Sequence, residues 1–103
     1  MKMNDLISFL GIGKKANIVK AGEYKTEESI KSKKCNLIIL AEDASDNTKK
    51  KFNKLAKTNN IEFLVYGNKE TLGKALGRHY ISIIAVCDKK FSDTLKIKIK
   101  CIT

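Results

Sequence analysis

The stretch Asn36-Leu37-Ile38-Ile39-Leu40-Ala41-Glu42-Asp43-Ala44-Ser45 decides the fold of this chain. Residues 37–41 form an unbroken apolar run. A strand with one face in water alternates apolar and polar residues, so a continuous run predicts a strand covered on both faces. The polarity then changes at Glu42, and Asp43 or Ser45 can cap a following helix. The stretch therefore predicts a central strand with helices on both sides.

Before this stretch, the pattern predicts two helices and a short strand. The opening helix has apolar residues at helical spacing, and Gly11 is its expected end. A brief strand follows at 17–20, and the second helix covers about residues 23–33. Its few positions that suit a core are Thr26, Ser29 and Ile30. The rest of this helix is mostly charged, so it is predicted to expose Tyr24, Lys25 and Glu28.

After the central strand, helices and strands continue to alternate. The predicted elements are a helix at about 45–58, a strand at 61–66, a short helix from Asn68 to Gly77, a strand at 81–87 and a helix from Asp88 to about 97. Residues 97–103 stay open, because their pattern has a period of two. This order predicts one α/β domain over residues 1–103, with a single sheet covered by helices on both faces. Ligand sites in such sheets form at strand ends and in the neighbouring loops.

The charge is strongly unbalanced. The 21 basic residues against 11 acidic ones give a net charge of +10. Such an excess favours a polyanionic partner, most commonly nucleic acid, and the alternative is simple solubility. Arg78 is the single arginine among these cations. Because lysine is a hydrated point charge, this composition favours phosphate neutralisation over bidentate reading of bases.

Several other classes of protein are disfavoured. No apolar run reaches the roughly 18–20 residues that a membrane span needs, and the N-terminus does not resemble a signal peptide, so the cytoplasm is the expected location. Cys35, Cys87 and Cys101 form an odd set without a C-x-x-C pair, which argues against disulfides and zinc. Cys35 and Cys87 adjoin apolar runs and are expected to be small core residues. No cofactor and no metal is predicted.

The sequence offers few groups for catalysis. His79 is the single histidine and falls in a polar loop. Glu42 and Asp43 are neighbours, so in an extended segment they point to opposite faces. Residues 11–15 lack the spacing of a phosphate-binding loop. A non-enzyme without a small-molecule substrate is therefore predicted, and a small-ligand enzyme at the strand ends near Asp43 and Gly67 is the weakest alternative.

Three segments in a fixed order carry a family resemblance. Gly22 opens a helix, an apolar strand then ends in Ala41-Glu42-Asp43, and the run 72–77 (Leu-Gly-Lys-Ala-Leu-Gly) precedes a strand ending in Ala85-Val86. Together they resemble the kink-turn-binding ribosomal proteins of the L-seven-Ae type over roughly residues 6–92. The small bacterial YlxQ-like branch is the most similar. The resemblance implies a three-layer α-β-α sandwich with a mixed sheet of about four strands. It also implies binding to kinked RNA helices with tandem sheared G·A pairs.

The resemblance also implies two recognition segments, at 22–28 and 78–82. The family pattern Gly-x-Asn-Glu-x-x-Lys is changed here, since Tyr24 replaces the Asn, Lys25 the acid and Glu28 the base. Lys25 can donate to guanine, Glu28 can accept from an amino group, and Tyr24 can stack on an unpaired base. The complete predicted RNA site consists of Lys14, Lys15, Lys20, Gly22, Glu23, Tyr24, Lys25, Glu28, Asp43, Arg78, His79, Tyr80 and Ile81.

The sequence therefore predicts a cytoplasmic, monomeric, non-catalytic protein that recognises a structured RNA, with ribosomal RNA as one candidate. The alternative is a protein-interaction adaptor on the same fold. In that case, specific RNA recognition has been weakened or lost through the changes at Tyr24, Lys25 and Glu28.

Overall fold

The computed structural model describes residues 3–102, and it describes side chains over residues 5–100. Helices and strands alternate along this range, as the sequence predicts. The elements are α1 (Met3–Lys15), β1 (Val19–Ala21), α2 (Glu23–Lys31), β2 (Leu37–Leu40), α3 (Asp46–Thr58), β3 (Glu62–Val65), α4 (Lys69–Ala75), β4 (Ile83–Val86) and α5 (Lys89–Ile102).

The four strands form one mixed sheet in the order β1-β4-β2-β3. Strand β4 is antiparallel to both of its neighbours, whereas β2 and β3 are parallel. At one end of the sheet Ala21 pairs with Ile84, and Leu40 pairs with both Ile83 and Val65. The ends of β1, β2 and β3 therefore meet the beginning of β4.

Four connecting segments consequently lie along the same edge of the sheet. We call this set the loop edge, and it consists of residues 22–28, 41–45, 66–68 and 78–82. Backbone hydrogen bonds join its segments, since the amide of Gly22 donates to the Ile83 carbonyl (2.9 Å) and that of Ala41 to the Ser82 carbonyl (2.8 Å). The fold thus brings both predicted recognition segments to one place.

The core confirms the central-strand prediction. Each residue of β2 and β4 is at most 1% exposed, because helices cover both faces of the sheet. Helices α1, α4 and α5 form one layer, in which the rings of Phe9 and Phe91 stack with centroids 4.2 Å apart. Helices α2 and α3 form the other layer, and an ion pair of 2.9 Å joins Glu27 to Lys51. The three-layer sandwich is therefore confirmed.

The prediction that α1 ends at Gly11 is wrong. The helix continues through Gly11 and Gly13 to Lys15, and the chain then turns at Asn17, whose φ is 62°. Gly13 serves close packing, because a Cβ there would lie 2.6 Å from both the Phe91 ring and a Val19 methyl. Gly13 therefore lets α1 approach its neighbours, and neither glycine ends the helix.

The last helix is longer than predicted. It extends past residue 97 to Ile102, even though residues 96–100 alternate with a period of two. Leu95 and Ile99 are buried and four residues apart, so they continue one helical face, while Ile97 is 64% exposed. The Lys96 ammonium also pairs with the Glu62 carboxylate on β3 at 2.9 Å. Packing against the sheet therefore makes residues 96–100 helical, although their sequence pattern alone does not determine their conformation.

Candidate nucleic-acid interface

The N-terminus of α2 lies at the centre of the loop edge. Gly22 precedes the helix with φ 93° and ψ 165°, and no described side chain caps its first turn. A Cβ at Gly22 would meet nothing within 4 Å, so the backbone conformation, rather than space, requires the glycine. Backbone N–H groups at a helix N-terminus carry partial positive charge and bind anions such as phosphate. This helix start therefore suits an anionic ligand.

Helix α2 is anchored by one narrow buried face, as predicted. Thr26 and Ile30 are at most 3% exposed and fix the helix on the sheet. Tyr24, Lys25 and Glu28 are exposed, and Tyr24 exposes 78% of its surface. The three positions that differ from the family pattern are thus all accessible to a ligand.

Loop 78–82 has a fixed backbone and exposed side chains. Gly73 allows the loop to pass directly over α4, because a Cβ there would lie 2.5 Å from the His79 carbonyl oxygen. Ile81 is buried, and its amide donates to the Lys69 carbonyl at 3.0 Å. Tyr80 is 71% exposed, and Arg78 and His79 are also exposed. The loop can therefore present these side chains without itself moving.

Gly73 is a positioning residue that the sequence interpretation missed. The available signal was a glycine inside a predicted helix, which often marks a close approach of backbone. The 2.5 Å separation from the His79 carbonyl oxygen confirms that meaning.

The turn after β2 orders the loop edge. Ser45 caps α3 by accepting from the Thr48 amide at 3.2 Å, which settles the choice between the two predicted caps. Asp43 instead accepts from the Lys69 amide at 2.8 Å, at the start of α4. Asn68 caps the same helix through the Thr71 amide. Asp43 is exposed beside the predicted RNA residues, but its carboxylate already joins the 41–45 turn to the first residue of α4.

The predicted lysines fall into two places. Lys20, Lys25 and Lys34 line a groove of about 330 Å³ beside α2. The groove borders the loop edge at Lys25 and Glu28 and extends to Lys34 and Cys87, at the opposite ends of β2 and β4. Lys14 and Lys15 lie instead at the C-terminal end of α1, where the Lys14 ammonium donates to the Leu76 carbonyl at the end of α4. They precede β1, whereas Gly22 follows it. The structure thus brings the predicted site residues together except for Lys14, Lys15 and Lys20, whose ammonium donates to the Asn17 side chain before β1. Ile81 lies at the loop edge, but the prediction that it contacts RNA is wrong because its side chain is buried.

The described thiols have the properties of core residues. Burial raises the pKa of the Cys35 thiol to about 11, and burial also raises the pKa of Cys87. A raised pKa removes the thiolate that nucleophilic or metal-binding chemistry needs. The side chain of Cys101 lies outside the described residues. Among described residues, no group of three or more His, Cys, Asp or Glu is placed to hold a metal, and no described helix is long and apolar enough to cross a membrane.

Two comparisons show what the fold resembles among solved structures. A protein of unknown function from Bacillus halodurans superposes with a TM-score of 0.86 and 33% identity, and the match covers 92% of this chain and 96% of that one. The 15.5kD RNA binding protein of Giardia lamblia superposes with a TM-score of 0.76, over 97% of this chain and 88% of that one. Its identity is 16%, so this second likeness shows the fold alone.

Sequence comparisons identify the family. RNA-binding protein YlxQ of Bacillus subtilis (strain 168) is 29% identical over 86 residues, which cover 84% of this chain and 86% of that protein. The sequence model of the Ribosomal protein L7Ae/L30e/S12e/Gadd45 family matches residues 6–96, which is most of the chain. The resemblance found in the sequence is thereby confirmed: the chain belongs to the ribosomal protein L7Ae/L30e/S12e/Gadd45 family.

Proposed function

We propose that this chain is a non-catalytic RNA-binding protein that recognises a kink-turn-like RNA at the loop edge. The observation that carries the proposal is a pair of exposed tyrosines on two joined segments. Tyr24 and Tyr80 are 78% and 71% exposed, and the hydrogen bond from Gly22 to Ile83 connects the segments that bear them. Membership of the family and the net charge of +10 support the same partner. Ribosomal RNA is the first natural target to test.

The chemistry of the loop edge suits an RNA whose bases are partly unstacked. Sequence-specific RNA recognition uses bases that leave the stack and pack on aromatic side chains, and Tyr24 and Tyr80 are free to do this. Lys25 can donate to the O6 and N7 atoms of guanine, and Glu28 can accept from a base amino group. The start of α2 adds backbone N–H donors for a phosphate. A straight duplex offers no unstacked base, so it loses the tyrosine contacts.

Lysines beside α2 also add affinity through phosphate contacts, and Lys25 can contribute to these as well as to guanine. Lys20, Lys25 and Lys34 line the groove beside α2, and the helix start provides a further phosphate contact. These roughly 4 phosphate contacts alone are expected to contribute about −3 to −4 to the slope of log K against log salt. Lys14 and Lys15 are expected to add little to this slope because they lie at the end of α1, before β1, and the Lys14 ammonium already donates to the Leu76 carbonyl.

A gel-shift titration with a kinked RNA and a straight duplex of equal length tests the proposal. The protein is expected to prefer the kinked RNA, and Tyr24→Ala or Tyr80→Ala is expected to reduce that preference. Ile97→Ala is a matched control, since it removes an exposed apolar side chain from α5. Equal, weak binding to both RNAs would overturn the proposal and favour a protein-interaction adaptor on the same fold.

The proposal includes a monomer in the cytoplasm. Sedimentation of the free protein and of its complex with the kinked RNA tests the first part, with a 1:1 complex expected. Crosslinking in cells, followed by sequencing of the bound RNA, tests whether ribosomal RNA is the target.

A further inference from the structure

Helix α3 carries a positively charged surface that lies outside the loop edge. It contains five lysines and one aspartate, and Lys50, Lys54 and Lys57 form a row at i, i+4 and i+7. At about 100° per residue these three positions span only about 60°, on the side opposite the buried Phe52. All three are exposed. We call this row the α3 lysine row.

The α3 lysine row differs from the charges on the other helices. On α2, α4 and α5 a lysine pairs with an acid one turn away, through Glu27–Lys31, Glu70–Lys74 and Lys89–Asp93. Over the part of the chain that the structure describes, Lys50, Lys54 and Lys57 take part in no ion pair. Like charges three and four residues apart destabilise a helix. A bound polyanion would remove this repulsion.

The direction of α3 relates the row to the loop edge. The turn 41–45 belongs to the loop edge and leads directly into Asp46, so α3 begins there and runs away from it. Lys50 is about 6 Å along the axis from this start, and Lys57 lies about 10 Å further. An RNA helix that leaves the loop edge over the α2–α3 layer would pass its phosphates along the row.

We propose that the α3 lysine row binds the phosphate backbone of the RNA helix that flanks the element recognised at the loop edge. This inference rests on the proposed function for its choice of RNA, but it makes a separate claim about a separate surface. The row binds phosphates without distinguishing RNA sequences, because lysines contribute to affinity through the release of counterions from the phosphates. It should therefore strengthen binding to kinked RNA and to straight RNA equally.

The test compares two triple variants with the same loss of charge. One replaces Lys50, Lys54 and Lys57 by Gln, and the control replaces Lys74, Lys90 and Lys100 by Gln on the opposite layer. Binding to the kinked RNA with a long flanking helix, and to the straight duplex, is measured over a salt series. The α3 triple is expected to make the slope of log K against log salt about 2 to 3 units shallower, which corresponds to roughly 100- to 1,000-fold weaker binding at 0.1 M salt if the affinities converge at 1 M. The control triple should leave the slope nearly unchanged.

The outcomes separate the two proposals. An unchanged ratio of kinked to straight affinity in the α3 triple, with a shallower slope on both RNAs, supports the row. If the unaltered protein does not prefer kinked RNA, the proposed function fails, yet the slope comparison still decides for or against the row. Equal slope changes in both triples would overturn the inference, since only net charge would then matter. An unchanged RNA slope with lost binding to anionic lipid vesicles would also overturn it.

A charge-conserving variant guards against misfolding. Replacing the same three α3 lysines by Arg keeps the charge and is expected to keep the original slope. Loss of the slope in the Arg triple would also refute the inference.

Discussion

Gly73→Ala is expected to destabilise the protein and to displace the loop that bears Tyr80. A Cβ at Gly73 would lie 2.5 Å from the His79 carbonyl oxygen and 2.8 Å from that of Arg78. Both are backbone atoms, so the loop itself must move by about 0.9 Å to restore an ordinary contact of 3.4 Å. Forcing extra volume into a packed site costs about 1–3 kcal/mol. The gain in helix propensity offsets about 1 kcal/mol of this.

Gly11→Ala is the matched control for this prediction. Gly11 is also inside a helix, but a Cβ there would meet only the Ala75 carbonyl oxygen, at 3.4 Å. The same substitution should therefore stabilise the protein by about 0.5–1 kcal/mol through helix propensity. The two variants should differ by about 1–3 kcal/mol, which is a difference of several degrees in Tm for a domain of this size.

Chemical denaturation and the RNA titration measure the two consequences separately. Gly73→Ala should lower the free energy of unfolding and weaken binding to kinked RNA. Gly11→Ala should raise the free energy of unfolding and leave RNA binding unchanged. If Gly73→Ala were as stable as Gly11→Ala and bound kinked RNA normally, the close passage of the loop over α4 would be refuted.

Three further predictions concern separate parts of the molecule. Tyr24→Ala should weaken binding to kinked RNA by about 1–3 kcal/mol, the worth of one base stacked on an aromatic ring, and should leave Tm unchanged because the side chain is 78% exposed. Ser45→Ala should lower the free energy of unfolding by about 1 kcal/mol through loss of the α3 cap, measured by urea denaturation, and an unchanged midpoint would contradict the capping role. The raised pKa of Cys35 predicts a stabilisation that is complete below pH 9, where both states hold the proton, and that is lost as pH rises towards 11. Between pH 8 and pH 11, the free energy of unfolding of the unaltered protein should therefore fall by up to about 2 kcal/mol more than that of Cys35→Ala. Parallel curves of unfolding free energy against pH would refute this.

The sequence was sufficient for the layers of the fold because burial has a clear pattern. The continuous apolar run at 37–41 predicts a strand covered on both faces, and β2 lies at the centre of the sandwich. Helix ends were harder, because Gly11 in a sequence does not reveal whether glycine ends a helix or allows close packing. The end of α5 is ambiguous in the sequence for a related reason, because the alternation at 96–100 fits both a strand and a helix, and only the burial of Ile99 in the core favours the helix.

The sequence predicts the two segments of the candidate site, but it does not predict that they form one surface. Positions 22–28 and 78–82 are far apart in the chain, and their joining depends on the Gly22–Ile83 hydrogen bond. The role of Asp43 could not be predicted either, because its partner, the Lys69 amide, belongs to a helix 26 residues away. Lysines posed the converse problem: twenty of them look alike in a sequence, and only the structure separates the groove from the end of α1.

The position of β4 has a consequence for synthesis on the ribosome. Among the strands that the structure describes, β4 is the last to leave the exit tunnel, yet it lies between β1 and β2 and is the one described strand that pairs with β1. Until β4 emerges, β1 has no strand to pair with, and only β2 and β3 can form a ladder. The nascent chain therefore completes its sheet and unites the two recognition segments in the same late step. A chain interrupted before Ile83 should present no assembled loop edge to RNA.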